Sequence, residues 1–139
     1  MATQFVVDNS VVMSWCFIDE TNSYADAVLN RLTKVSAIVP LIWPLEVVNV
    51  LLSAERQKRL SKSASMRFLT LLSQLPIFVE YERPDKMMKD LLTLARTSNL
   101  SSYDASYLDL AMRKGVPIAT LDKNLIEAAS RVDVPILAT

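Results

Sequence analysis

The chain has 139 residues, 51% of them apolar, and its fifteen basic residues balance fifteen acidic ones. That size and apolar share suit a single domain over 1–139 with its own core, and zero net charge argues against a uniformly basic nucleic-acid binder. With no histidine and one glycine, Gly115, the chain lacks the material for Ser-His-Asp or Cys-His nucleophiles, for the usual zinc sites, and for Gly-rich loops that cradle ATP, GTP or NAD.

An apolar run at 4–8 (QFVVD) opens the chain, and similar runs recur at 37–42, 75–81, 116–120 and 134–138. They are continuous rather than alternating, the pattern of strands buried on both faces of a parallel sheet. Just after the first run lies Cys16, the lone cysteine. It can form no intrachain disulfide or CxxC zinc pair, which suits a reducing cytoplasm. Helical spacing over 23–34 aligns Tyr24, Ala27, Val28 and Leu32. Over 45–59 it aligns Leu45, Val48, Leu52 and Glu55 behind Pro44, a good first-turn residue. In the same stretch Val47, Val50 and Leu51 could serve a subunit interface as well as a core. The spacing recurs over 63–74 and 85–97, and 101–115 reads as a helix begun by Ser101 or Ser102 and stopped by Gly115. Strands alternating with helices imply right-handed βαβ units. No apolar run approaches the roughly 20 residues of a bilayer span, and the N-terminus lacks the basic segment of a signal peptide, so a cytoplasmic chain with no membrane partner is expected.

Four carboxylates stand where strand-like runs give way to helix starts: Asp8, Glu46 in WPLEVV, Asp104 in SSYDAS and Asp122 in IATLDKN. Each alone has an ordinary reading as a helix cap or a partner of the helix dipole. In an open α/β sheet, however, strand C-termini and helix N-termini meet at one edge, so four separate caps crowd a single crevice. At roughly 5 Å and an effective dielectric near 20, each pair repels by about 3 kcal/mol, which a hard divalent cation relieves. An all-oxygen donor set fits Mg2+ or Mn2+ and points to metal-assisted hydrolysis of a phosphodiester with one or two ions. Ser10, Asn49 and Thr120 are candidate supporting groups for those carboxylates, local backbone bonding being the equally good alternative.

Residues 53–67 carry Arg56, Lys58, Arg59, Lys62 and Arg67 against Glu55 alone. Setting the four candidate ligands aside leaves fifteen basic against eleven acidic residues, so neutrality conceals a polarised surface. The cluster is a candidate RNA contact through Arg56, Lys58, Arg59 and Lys62, or simply a solvated helix end. Tyr103 and Tyr107, one helical turn apart, are packing residues or stacking surfaces for bases.

Taken together, VVDNSVVMSWCFIDE, WPLEVVNVLLSAERQKRLS and LSSYDASYLDLAMRKGVPIATLDKNLIEAA resemble the PIN-domain family over nearly the whole length, and more narrowly the VapC-type toxins. The resemblance implies an α/β three-layer sandwich with a central five-stranded parallel sheet. It also implies a Mg2+- or Mn2+-dependent endoribonuclease, a dimer, and a small antitoxin whose C-terminal segment blocks the acidic site. Carried over by position, Asp8, Glu46, Asp104 and Asp122 are the metal-binding and catalytic acids, with Ser10 and Thr120 in support. Asn9 departs from the small residue expected after the first acid, and Ser102 precedes Tyr103 where other residues are frequent. A phosphoacceptor signalling domain fits less well: it wants paired acids after the first strand and a lysine on the last, whereas Asn9 follows Asp8 and 134–138 holds no lysine. A PIN-like binding module whose acids hold a purely structural ion is a third possibility.

Overall fold

A computed structural model describes residues 4–139. Strand β1 (Gln4–Val7) leads through α1 (Asn9–Ser14), a 3-10 turn (Ile18–Glu20) and α2 (Ser23–Arg31) to β2 (Ser36–Pro40). Helices α3 (Trp43–Arg56) and α4 (Lys62–Ser73) then precede β3 (Ile77–Glu80), and α5 (Pro84–Ser98) and α6 (Ser102–Lys114) precede β4 (Ile118–Ala119) and α7 (Lys123–Arg131). All strand pairs are parallel, in the order β3-β2-β1-β4.

Local chemistry sets the boundaries. Asn22, Ser61 and Ser101 cap α2, α4 and α6 by accepting a backbone N–H three residues on. Pro44 and Pro84 occupy first turns, while Asn99 and Gly115 close α5 and α6 in the left-handed region. Successive strand residues point to opposite faces. Because Phe5, Val6, Val7, Ala37, Ile38 and Val39 are all fully buried, helices must cover both faces of β1 and β2. The covering includes Val11 and Val12 of α1, Leu108 and Leu110 of α6, and Leu125 of α7.

One expectation is corrected, and one alternative that was left open is decided. The sheet has four strands, not five: the 134–138 run joins it through a single bridge, Ile118 to Ile136. β4 is two residues long and Pro135 has no N–H, so the contact is reduced to Ile118 N donating to Pro135 O and Leu137 N donating to Ile118 O. On α3, Val47 and Leu51 belong to the core and Val50 is half-buried, so the first two are closed to an interface. The face that α3 turns outward carries Leu45, Val48 and Leu52.

Gly115 holds φ at +63°, and a Cβ added there meets nothing within 4 Å. Gly115→Ala therefore destabilises through backbone conformation alone, by about 1 kcal/mol, read as a lower denaturant midpoint at unchanged slope.

Candidate active site

Leaving β1, the chain builds β2 and β3 on one side and returns to place β4 on the other. Between β1 and β4 the strand order reverses, and the crevice at the carboxyl ends of the strands opens there. The register aligns Val7 with Ala119, which makes Asp8 and Thr120 the next residues out of the sheet on each strand. Asp8 N donates to Ala119 O at 2.9 Å and locks the pair together.

Asp8 is 5% exposed. Its Oδ2 accepts the Ser10 hydroxyl at 2.6 Å and the Thr120 hydroxyl at 2.9 Å. Those hydroxyls accept in turn, Ser10 from Leu121 N and Thr120 from Asp122 N, both at 3.0 Å. Ser10 and Thr120 thus both hydrogen-bond the acid, and the backbone entering α7 is tied to it through them. Although Asp8 sits at the N-cap position of α1, its side chain makes no capping bond and remains available to the crevice. Asp122 does cap its helix, with Oδ1 accepting from Asn124 N and Leu125 N. Its ordinary structural role is therefore real, and it leaves Oδ2 unused.

Glu46 lies in the first turn of α3, where Oε1 accepts the hydroxyl of Tyr107 from α6. Tyr107 is fully buried. Burial and the neighbouring Glu46 carboxylate push its phenol far above its ordinary value, so it remains a donor. Asp104 is half-buried in the first turn of α6.

These acids feel one another. Burial raises the pKa of Asp8 against the lowering hydrogen bonds from Ser10 and Thr120. Burial also raises Glu46, with the charges of Asp8 and Asp104 adding to the shift, and Asp104, with Asp8 and Asp122 adding. The ion pairs among the described residues include none of the four. Also among the described residues, no three Asp, Glu or Cys side chains form a group that could together hold a metal ion. The acids share an electrostatic field without forming a closed cage. Such an open, all-oxygen set fits Mg2+ or Mn2+, which keep several waters and take few carboxylates, better than a metal needing a full protein shell.

Other expected residues stand apart. Asn49 is exposed on α3 and bonds none of the acids. Arg59 is committed to Glu20 at 3.1 Å and Asp19 at 3.5 Å, with its guanidinium 4.6 Å over the Phe17 ring. Arg56, Lys58 and Lys62 are exposed and take part in none of the ion pairs of the described residues. The two tyrosines separate: Tyr103 is 56% exposed, whereas Tyr107 positions Glu46. Tyr107 was legible as more than packing, because three residues after a candidate ligand on one helix places it on that ligand's face.

A raised carboxyl pKa means that the folded chain holds its proton more tightly than the unfolded chain. The stabilisation this gives is complete below about pH 4 and is lost as pH rises through the raised value. In a chelating buffer, Asp8→Asn keeps an oxygen for Ser10 and Thr120 but removes the buried charge. The variant is expected to melt roughly 3 °C above the parent at pH 7, by about 1 kcal/mol, and to flatten the fall in stability between pH 4 and pH 7. Calorimetry across that range checks it.

Comparison with known proteins agrees with this geometry. The PIN-domain profile matches residues 5–131. The structure of PAE2754 from Pyrobaculum aerophilum superimposes with a TM-score of 0.69 at 23% identity, covering 92% of this chain and 87% of that one. A toxin–antitoxin complex from Klebsiella pneumoniae gives 0.60 at 16% identity, covering 85% and 86%. At such identities the likeness is one of fold. No curated protein sequence matches. With a profile match across most of its length and a parallel α/β sheet bearing acids at its switch point, the chain belongs to the PIN-domain family, whose members are generally nucleases.

Proposed function

We propose that this protein is an endoribonuclease that hydrolyses RNA phosphodiester bonds with Mg2+ or Mn2+, one or two ions, held by Asp8, Glu46, Asp104 and Asp122. The observation that carries this reading is the placement of Asp8 at the sheet's switch point, tied to Thr120 and sharing its field with Glu46 and Asp104, with no cationic partner for any of the four acids among the described residues. When bound, the metal supplies a water of lowered pKa and stabilises charge developing on phosphorus. The chain does the positioning. Ser10 and Thr120 immobilise the Asp8 carboxylate, and Tyr107 holds one oxygen of Glu46 while leaving the other without a side-chain donor among the described residues. With no histidine in the chain, proton transfer falls to these carboxylates and to solvent.

The same reading makes the protein the toxin of a toxin–antitoxin pair acting in a reducing cytoplasm. Its fold resembles that of a toxin–antitoxin complex from Klebsiella pneumoniae. A groove of about 700 Å3 lined by Phe17, Ile18, Leu60, Phe68 and Arg67 suits an apolar antitoxin segment, with Arg67 as the cation for an acidic residue on it, since Arg59 in the same lining is already paired with Asp19 and Glu20. Self-association is the third element. Val48 and Leu52 of α3 and Phe78 of β3 are exposed together with a groove of about 380 Å3 reaching Phe78, a fitting surface for a homodimer.

Purified protein is expected to cut RNA with Mg2+ or Mn2+, and Asp8→Asn and Asp104→Asn to slow cleavage by roughly a hundredfold or more. Tyr107→Phe is expected to be impaired less, roughly tenfold. Equal rates for the parent and both Asn variants would reject the mechanism. If chelation lowers the melting temperature while no RNA is ever cut, the acids hold a structural ion and the protein is a binding module. For the dimer, Val48→Glu is expected to sediment as a monomer at concentrations where the parent is dimeric.

A further inference from the structure

Beside the acids, at the same carboxyl edge of the sheet, lies a pocket of about 290 Å3 between the end of β2, the start of α3, α5 and the start of α6. Leu41, Leu45, Met87 and Leu91 form apolar walls, and no charged side chain lines it. Two of its residues adjoin site acids in the chain: Leu45 precedes Glu46, and Tyr103 precedes Asp104.

We propose that this pocket seats one unpaired nucleobase of the RNA strand, with the Tyr103 ring as its stacking surface and neighbouring serine hydroxyls reading the base edge. The inference rests on the nuclease reading above and names the part of the substrate that reading leaves open. Its volume is near the lower limit of roughly 300 Å3 for small-molecule sites. An uncharged, apolar cavity suits a flat, neutral ring and repays nothing to a phosphate, which belongs with the metal-binding acids next door. Tyr103 is 56% exposed at the pocket wall, and neither its phenol nor the Ser102 hydroxyl has a hydrogen-bond partner among the described residues. Ser106 gives its proton to the Tyr103 carbonyl at 2.6 Å, so its oxygen meets the pocket as an acceptor for a base N–H. Single-stranded RNA is commonly bound in this way, bases stacked on aromatic rings and hydrogen-bonded at their edges. The basic cluster is less suited to choosing a sequence: Arg59 is spent on Asp19 and Glu20, and lysine and arginine contacts to phosphate position a strand without reading it.

The test pairs binding with cleavage. The four nucleoside 5′-monophosphates are titrated into the protein with Mg2+, following the Met87 methyl and Tyr103 ring signals by NMR. The parent, Tyr103→Ala and Tyr103→Phe are then compared on RNA of mixed sequence, with melting temperatures confirming that each variant folds. At least one nucleotide is expected to shift both signals. Tyr103→Ala should weaken that binding and lower kcat/KM by roughly ten- to a hundredfold, flattening the preference at one position beside the cut, while Tyr103→Phe, which keeps the ring, retains the preference. If RNA is cut but Tyr103→Ala matches the parent in rate and pattern and no nucleotide shifts either signal, the base site is rejected and the nuclease reading survives. Nucleotide binding that Tyr103→Ala weakens, with no cleavage by the parent, upholds the base site and rejects the nuclease. Neither binding nor cleavage overturns both, and loss of self-association in Tyr103→Ala makes the pocket a contact between copies instead.

Discussion

Asp8 is a nearly buried carboxylate at the one place where the strand order reverses, and the rest of the site is arranged around the difficulty of keeping a charge there. Removing an ionised group from water is costly unless hydrogen bonds or an opposite charge compensate. Ser10 and Thr120 compensate in part through the two bonds to Oδ2, and the backbone of Leu121 and Asp122 fixes those hydroxyls. Burial still wins at Asp8, whose pKa stays raised, and its charge is felt in turn by Glu46 and Asp104, which are raised as well.

Acids elsewhere in the molecule are held differently. Asp109 and Glu82 are also substantially buried, yet both meet Arg113, which ties α6 to the segment following β3. Glu80 has Lys114, and Asp19 and Glu20 share Arg59. These acids have basic partners, whereas none of the four at the crevice has one among the described residues. A neutral net charge is therefore compatible with strong local fields of opposite sign.

Tyr103 and Tyr107 show how one helix divides its labour. Both belong to α6, four residues apart and separated by about 40° around the axis. That rotation takes Tyr107 into the core, where its hydroxyl must find an acceptor and finds Glu46, and leaves Tyr103 on the rim of the neighbouring pocket. Asp104 lies between them in the chain, so the acid, the positioning phenol and the exposed ring are all carried by one helix.

Much of this was determined by the sequence alone. The continuous apolar runs specify a buried parallel sheet, Ser101 and Gly115 bound α6, and the strand-to-helix positions of Asp8, Glu46, Asp104 and Asp122 bring the acids to one edge, because these are local patterns whose periods and caps are written residue by residue. Tertiary structure alone decided the rest. The 134–138 run has a strand's composition, but a two-residue β4 and a proline lacking an N–H leave it a single bridge. Arg59 looks free in a basic stretch until Asp19 and Glu20, some forty residues earlier, arrive beside it. Asn49 lies one turn after Glu46, the spacing of a supporting group, yet is exposed, Val47 and Leu51 face the core, and Tyr107 meets Glu46 across 61 residues. Partners and exposure of this kind depend on which distant segments pack together, and no local period encodes that.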